Sequence, residues 1–123
     1  MELQRQDFDQ QPRSASRPGS GVEQFHLVGM NGTRVVVATG EIDIASSPGL
    51  WVALSEAIAA GQGEVIVDLS GVTFIDSQGL NVLLRAYKAL SPEGRELCLR
   101  SPRPQARKAL EVSGVASVLR MDG

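Results

Sequence analysis

Between Val22 and Arg120 the chain alternates between two hydrophobic rhythms, and this alternation restricts the fold more than any other feature. Glu23 to Val28 has period two, with Phe25 and Leu27 on one side, as a half-buried strand requires. Asn31-Gly32 is a turn signal, because both residues tolerate positive φ. Thr33 to Thr39 follows as a second strand, and its continuous run Val35-Val-Val-Ala38 suits a strand covered on both faces. Gly40 to Ala45 reads as a loop, and Ser46 or Ser47 caps a helix with Pro48 in its first turn. Leu50, Trp51, Leu54, Ala57 and Ile58 then recur at helical spacing until Gly61, and Trp51 is assigned to core packing.

The rhythm then changes again. Glu64-Val-Ile-Val-Asp-Leu69 reads as a short buried strand and Ser70 to Asp76 as a connector. A second helix beginning at Asp76 or Ser77 carries Leu80, Leu83, Leu84, Tyr87 and Leu90 inward, and Ser91-Pro-Glu-Gly94 breaks it. Glu96 to Arg100 alternates as a fourth strand. Ser101-Pro-Arg-Pro104 leads into a third helix, with Ala106, Ala109 and Leu110 inward and Gly114 as its stop. Val115 to Arg120 reads as a last short strand. The order β-β-α-β-α-β-α-β predicts an α/β domain with a mixed, mainly parallel sheet of four to five strands and interspersed helices. Strand order stays open: Asn31-Gly32 suggests a hairpin, and a strand inserted between the first two fits as well.

A chain of 123 residues fits one domain. Residues 1–21, rich in Gln, Ser, Pro and Gly, hold too little to bury and are expected to form a disordered tail before a domain over 22–123. A single cysteine, Cys98, allows no internal disulfide and suits a reducing compartment. No apolar run approaches the ~18 residues of a membrane span, and the polar start of the chain is unlike a secretory signal. A cytoplasmic protein with no membrane insertion is therefore expected. Charge is unevenly spread. From Val22 to Leu84 the acids Glu23, Glu41, Asp43, Glu56, Glu64, Asp68 and Asp76 face only Arg34. From Arg85 onward Arg and Lys dominate. This describes either two differently solvated faces or a basic partner for the acidic part. Nucleic-acid binding is not expected, since the basic residues lack interleaved aromatics and no recognition motif occurs.

In open α/β sheets the functional loops follow the carboxyl ends of strands. Two such loops are informative, Gly40 to Pro48 and Asp68 to Leu80. If the second and third strands are parallel neighbours, Glu41, Asp43, Asp76 and Ser77 converge. Three readings compete for this cluster. Asp76 and Ser77 as plain helix caps is the first reading. Ser77 as a nucleophile would need a base, yet the one histidine, His26, lies far off in the first strand and no Gly-x-Ser-x-Gly elbow occurs. Ser77 as a phosphate acceptor is the third reading, since a helix N-terminus favours an anion. Val65-Ile-Val-Asp68 looks superficially like the phosphoacceptor strand of a receiver domain. The acidic pair such a domain needs is absent from residues 27–32, and no lysine follows Lys108. One histidine and one cysteine give no metal-ligand spacing, and no catalytic residue, metal or cofactor is expected.

Asp68-Leu-Ser-Gly-Val-Thr-Phe-Ile-Asp-Ser-Gln-Gly-Leu80 closely resembles the signature of STAS domains in anti-sigma-factor antagonists. Gly40-Glu-Ile-Asp43 is similar to a second marker of that family, and Leu110-Glu-Val-Ser-Gly-Val115 to a third. The resemblance spans about residues 22–120. It implies that the unphosphorylated protein binds an anti-sigma factor that is also a serine kinase, freeing the sigma factor. The kinase would phosphorylate Ser77 and so release the antagonist, and a metal-dependent serine phosphatase would reset it. It also implies partner contacts at Asp43, Asp76, Ser77, Gln78 and Gly79, where a side chain on Gly79 would obstruct the partner. Gln78 stands where many members have Ser or Thr. The alternative within the family is a scaffold or adaptor module of a stress-sensing or transporter-associated complex.

Overall fold

A computed structural model describes residues 23–123; the expected tail lies outside them. Strands β1 (Phe25–Met30) and β2 (Thr33–Ile42) form an antiparallel hairpin around Asn31-Gly32, both at positive φ. Helix α1 (Ser47–Ala60), strand β3 (Val65–Ile75), helix α2 (Ser77–Leu90), strand β4 (Leu97–Arg100), helix α3 (Pro104–Ser113) and strand β5 (Arg120–Asp122) follow. Among the described residues the sheet has five strands in the order β1-β2-β3-β4-β5, and every pairing after the hairpin is parallel. No strand is inserted between β1 and β2.

The register explains the alternation. Leu27, Val36, Val67, Leu99 and Met121 stand opposite one another in a single row across all five strands. Val36, Val67 and Leu99 have no exposed surface. They belong to one cluster with Leu50, Leu54 and Ala57 of α1, Val82, Leu83 and Leu90 of α2, and Ala106 and Leu110 of α3. One residue further along, the row is His26, Val37, Asp68, Arg100 and Asp122, on the opposite face. That face is mixed: Val35 and Cys98 on it are buried, while Arg100 pairs with Asp68 at 3.4 Å.

Three boundaries differ from the sequence reading. Gly40 to Ile42 is strand, not loop, and the expected connector Ser70 to Asp76 is the second half of β3 up to Ile75. Its cause is a pair of bulges. Val37 opposes Asp68 and Thr39 opposes Gly71; Gly40 opposes Val72 and Glu41 opposes Phe74. β3 thus carries one extra residue at each shift, which breaks the period-two pattern while keeping the ladder. Gly71 permits the first shift, since a Cβ there would lie 2.9 Å from Thr39 Cγ2. The third difference is near the end. Gly114 stops α3 in the left-handed conformation, a short 3₁₀ turn covers Val115–Ser117, and the last strand begins only at Arg120.

Two arginines complete the end of α1, whose last carbonyls lack intrahelical partners. Arg34 Nη2 donates to Ala60 O at 3.1 Å, and Arg95 Nη1 donates to Ile58 O at 3.1 Å. Trp51 is half-buried against the core, and the Arg85 guanidinium lies 4.0 Å from its ring centroid, tying α1 to α2.

Leu99 stands in the central row with no exposed surface, so Leu99→Ala is expected to cost about 2–5 kcal/mol. Urea unfolding should show a lower midpoint at an unchanged slope.

Candidate functional site

The site is made where β2 and β3 end side by side. Ile42 opposes Ile75, and the Asp76 N–H donates to Ile42 O at 3.0 Å, so the two following loops leave the same edge of the sheet. Both α1 and α2 start there, as the sequence reading requires of a shared site.

Asp76 is the N-cap of α2. Its backbone is extended (φ −103°, ψ −173°), and Oδ1 accepts from the Gln78 N–H at 2.9 Å and the Gly79 N–H at 3.2 Å. Two of the donors that a helix start leaves free are thereby satisfied. Ser77 is the first helical residue, exposed, and its hydroxyl makes no hydrogen bond among the described residues. The cap is Asp76 alone, and Ser77 is spare to it.

Asp43, directly after β2, shapes the other loop. Its Oδ1 accepts from the Ala45 and Ser46 N–H groups, each at 3.0 Å, and the Ser46 hydroxyl lies 3.1 Å away. Ser46 Oγ accepts from the Asp43 N–H at 2.9 Å and sits 3.0 Å from Glu41 O. Ser46 occupies the N-cap position of α1 but makes no side-chain cap bond, because its hydroxyl is spent on this turn. The Ser46 N–H and hydroxyl hold the Asp43 carboxyl below its usual range.

Gly79 has a reason inside the fold. It is buried, and a Cβ there would lie 2.7 Å from both Ile42 Cγ2 and Ile75 Cγ1. A side chain would strike the protein's own strand ends before it met a partner. Gln78 is exposed beside Ser77. The sequence reading missed the apolar surface around the site. Ile44, on the loop after β2, is 72% exposed, and Phe74, near the end of β3, is 42% exposed. The second bulge of β3, between Val72 and Phe74, accompanies this exposure.

His26 lies in the polar row of the sheet with Val37, five residues before the end of β2 and so about 16 Å along the strand. Cys98 is buried, and its thiol is pushed up to about 11, by burial first and by the Asp122 carboxylate that accepts from it at 3.4 Å. Among the described residues no group of three or more His, Cys, Asp or Glu side chains is placed to hold a metal. No helix among them is long and apolar enough to cross a membrane.

A family model described as "Mlab, STAS domain" matches residues 26–120. The chain belongs to the STAS-domain family. This STAS domain is 29% identical over 97 residues to the anti-sigma F factor antagonist of Paenibacillus polymyxa, covering 78% of this chain and 83% of that one. It matches the solved structure of the anti-sigma factor antagonist SpoIIAA in its unphosphorylated form, with a TM-score of 0.70 and 27% identity over 80% of this chain and 87% of the other. It also matches the Bacillus cell fate determinant SpoIIAA in its phosphorylated form, with a TM-score of 0.64 and 25% identity over 80% and 90% of the two chains.

Three outcomes follow for the site. Gly79→Ala is expected to destabilise the STAS domain by about 1–3 kcal/mol through overpacking, and Asp76→Ala by about 1 kcal/mol through loss of the cap, both by chemical denaturation. The lowered Asp43 pKa means that its contribution is complete above the ordinary carboxylate range of about 4 and is lost as pH falls through the folded value. Amide exchange at Ala45 and Ser46 should therefore quicken only at strongly acid pH.

Proposed function

We propose that this STAS domain is an anti-sigma-factor antagonist, a regulatory binding protein and not an enzyme. The unphosphorylated form binds an anti-sigma factor that is also a serine kinase and releases the sigma factor. Phosphorylation of Ser77 by that kinase switches it off, and a serine phosphatase restores it. The single observation that carries this reading is the state of the Ser77 hydroxyl: exposed, without a hydrogen bond among the described residues, and at the first position of α2. Its neighbours Ser46 and Asp76 are committed to turns and caps. The serine is free for modification without removing anything the fold uses.

The surroundings fit a contact surface. Exposed Ile44 and Phe74 supply apolar area, and Asp43, Asp76, Ser77 and Gln78 supply polar contacts. Gly79 serves by letting α2 seat closely on Ile42 and Ile75, which fixes the direction in which Ser77 points. A phosphate at a helix N-terminus is tolerated by the dipole. Beside Asp43 and Asp76 it adds charge of the same sign, so the fold persists while the surface becomes unsuited to its partner. The relatives named as anti-sigma factor antagonists, and the phosphorylated SpoIIAA among them, support this assignment.

Ser77→Ala is expected to bind the anti-sigma factor within a few-fold of the unmodified protein, because one hydroxyl contributes at most ~1 kcal/mol, and to accept no phosphate. Ser77→Glu and phosphorylated Ser77 should bind more weakly, with amide shifts confined to the two loops and the start of α2. Calorimetric titration of the three forms against the anti-sigma factor is the test. Equal affinity of the unmodified and phosphorylated forms would sink the switch and favour a scaffold or adaptor role.

A further inference from the structure

We propose that the exposed face of α2 is self-complementary and docks antiparallel against α2 of a second copy of this chain, with Ser77 of one copy facing Arg85 and Lys88 of the other. Helical spacing defines the face. Ser77, Asn81, Leu84 and Lys88 recur at intervals of four, three and four along α2, and Gln78 and Arg85 lie on the adjoining line. All are exposed except Leu84, which is half-buried.

Charge is divided between the two ends of this face. Asp76 caps one end, and Asp43 follows the strand residue bonded to Asp76. Arg85 and Lys88 hold the other end, about 12 and 16 Å along the axis from Ser77 at 1.5 Å per residue. Neither forms an ion pair among the described residues. Arg85 is fixed over Trp51 at 4.0 Å. A guanidinium stacked by its face keeps its N–H edge for a carboxylate or phosphate, and part of its ordering entropy is already lost before any partner arrives.

A face that is acidic at one end and basic at the other fits its own inverse. Parallel apposition of two copies sets like charge against like, whereas antiparallel apposition sets acid against base at both ends. That arrangement has a two-fold axis near Asn81 and Leu84, and each favourable contact occurs twice. The regulated part of the proposal rests on Ser77 being the phosphoacceptor. A phosphate there strengthens the acidic end and meets Arg85 and Lys88 of the second copy. The modified protein then covers its own partner surface, and repulsion from the anti-sigma factor is joined by self-occlusion.

The test uses the full chain with phosphoserine installed at position 77 during synthesis, so that no kinase is needed. Sedimentation should show weak self-association of the unmodified protein, tightened by about tenfold or more on phosphorylation. Raised salt or the double substitution Arg85→Glu with Lys88→Glu should abolish it. Oxidation of Asn81→Cys should give a symmetric disulfide dimer where Gln105→Cys on α3 does not. A phosphorylated protein that stays monomeric to its solubility limit overturns the proposal. So does a dimer indifferent to the double substitution. Monomer throughout, with the double substitution weakening the anti-sigma complex instead, assigns the basic end to that partner and overturns self-docking. Failure of the kinase to modify Ser77 would undo the functional reading and leave these measurements standing.

Discussion

The parallel pairing of β2 with β3 is the constraint on which the rest of this structure depends. It aligns the row from Leu27 to Met121 that roots the core. It also ends in the bond from the Asp76 N–H to Ile42 O, which sets two loops from distant parts of the chain on one edge. Loops placed by a rigid scaffold are where binding residues gather, since a surface loop must otherwise bear the cost of its own ordering. Here the cost is met twice over. The Asp43 carboxylate closes one loop on Ser46, and the Asp76 carboxylate closes the other on Gln78 and Gly79.

Much of this was legible in the residues alone. The element order, the hairpin at Asn31-Gly32 and the convergence of Asp43 with Asp76 and Ser77 follow from periodicity and from the rule that crossovers join parallel strands. Part of what the residues hid has one physical origin. The two bulges of β3 add a residue each, and a strand with two added residues no longer alternates. For that reason Ser70 to Asp76 read as a connector. Gly79 was legible as an important glycine but not as an inward one, because its reason lies in Ile42 and Ile75, remote or unremarkable in sequence.

The face of the sheet turned away from the main core is held differently. Asp68 with Arg100, and Arg120 with Glu64, Glu96 and Asp122, fill rows that no helix among the described residues is required to cover. Half-exposed pairs of this kind contribute little to stability individually. Their effect is to set charged pairs around the buried Val35 and Cys98 on the face of the sheet turned away from the main core.

The Asp76 cap has a consequence for the medium in which the site works. The N–H groups of Gln78 and Gly79 are already occupied. An anion carried by Ser77 finds those donors taken, so within its own chain it acts through the field and not through a fitted socket. A field in water extends about 8 Å at physiological ionic strength and about 10 Å at 0.1 M. Contacts within that reach stay responsive, and contacts beyond it fade as ions accumulate. A cell under osmotic stress would therefore alter the range of this surface without altering a single residue.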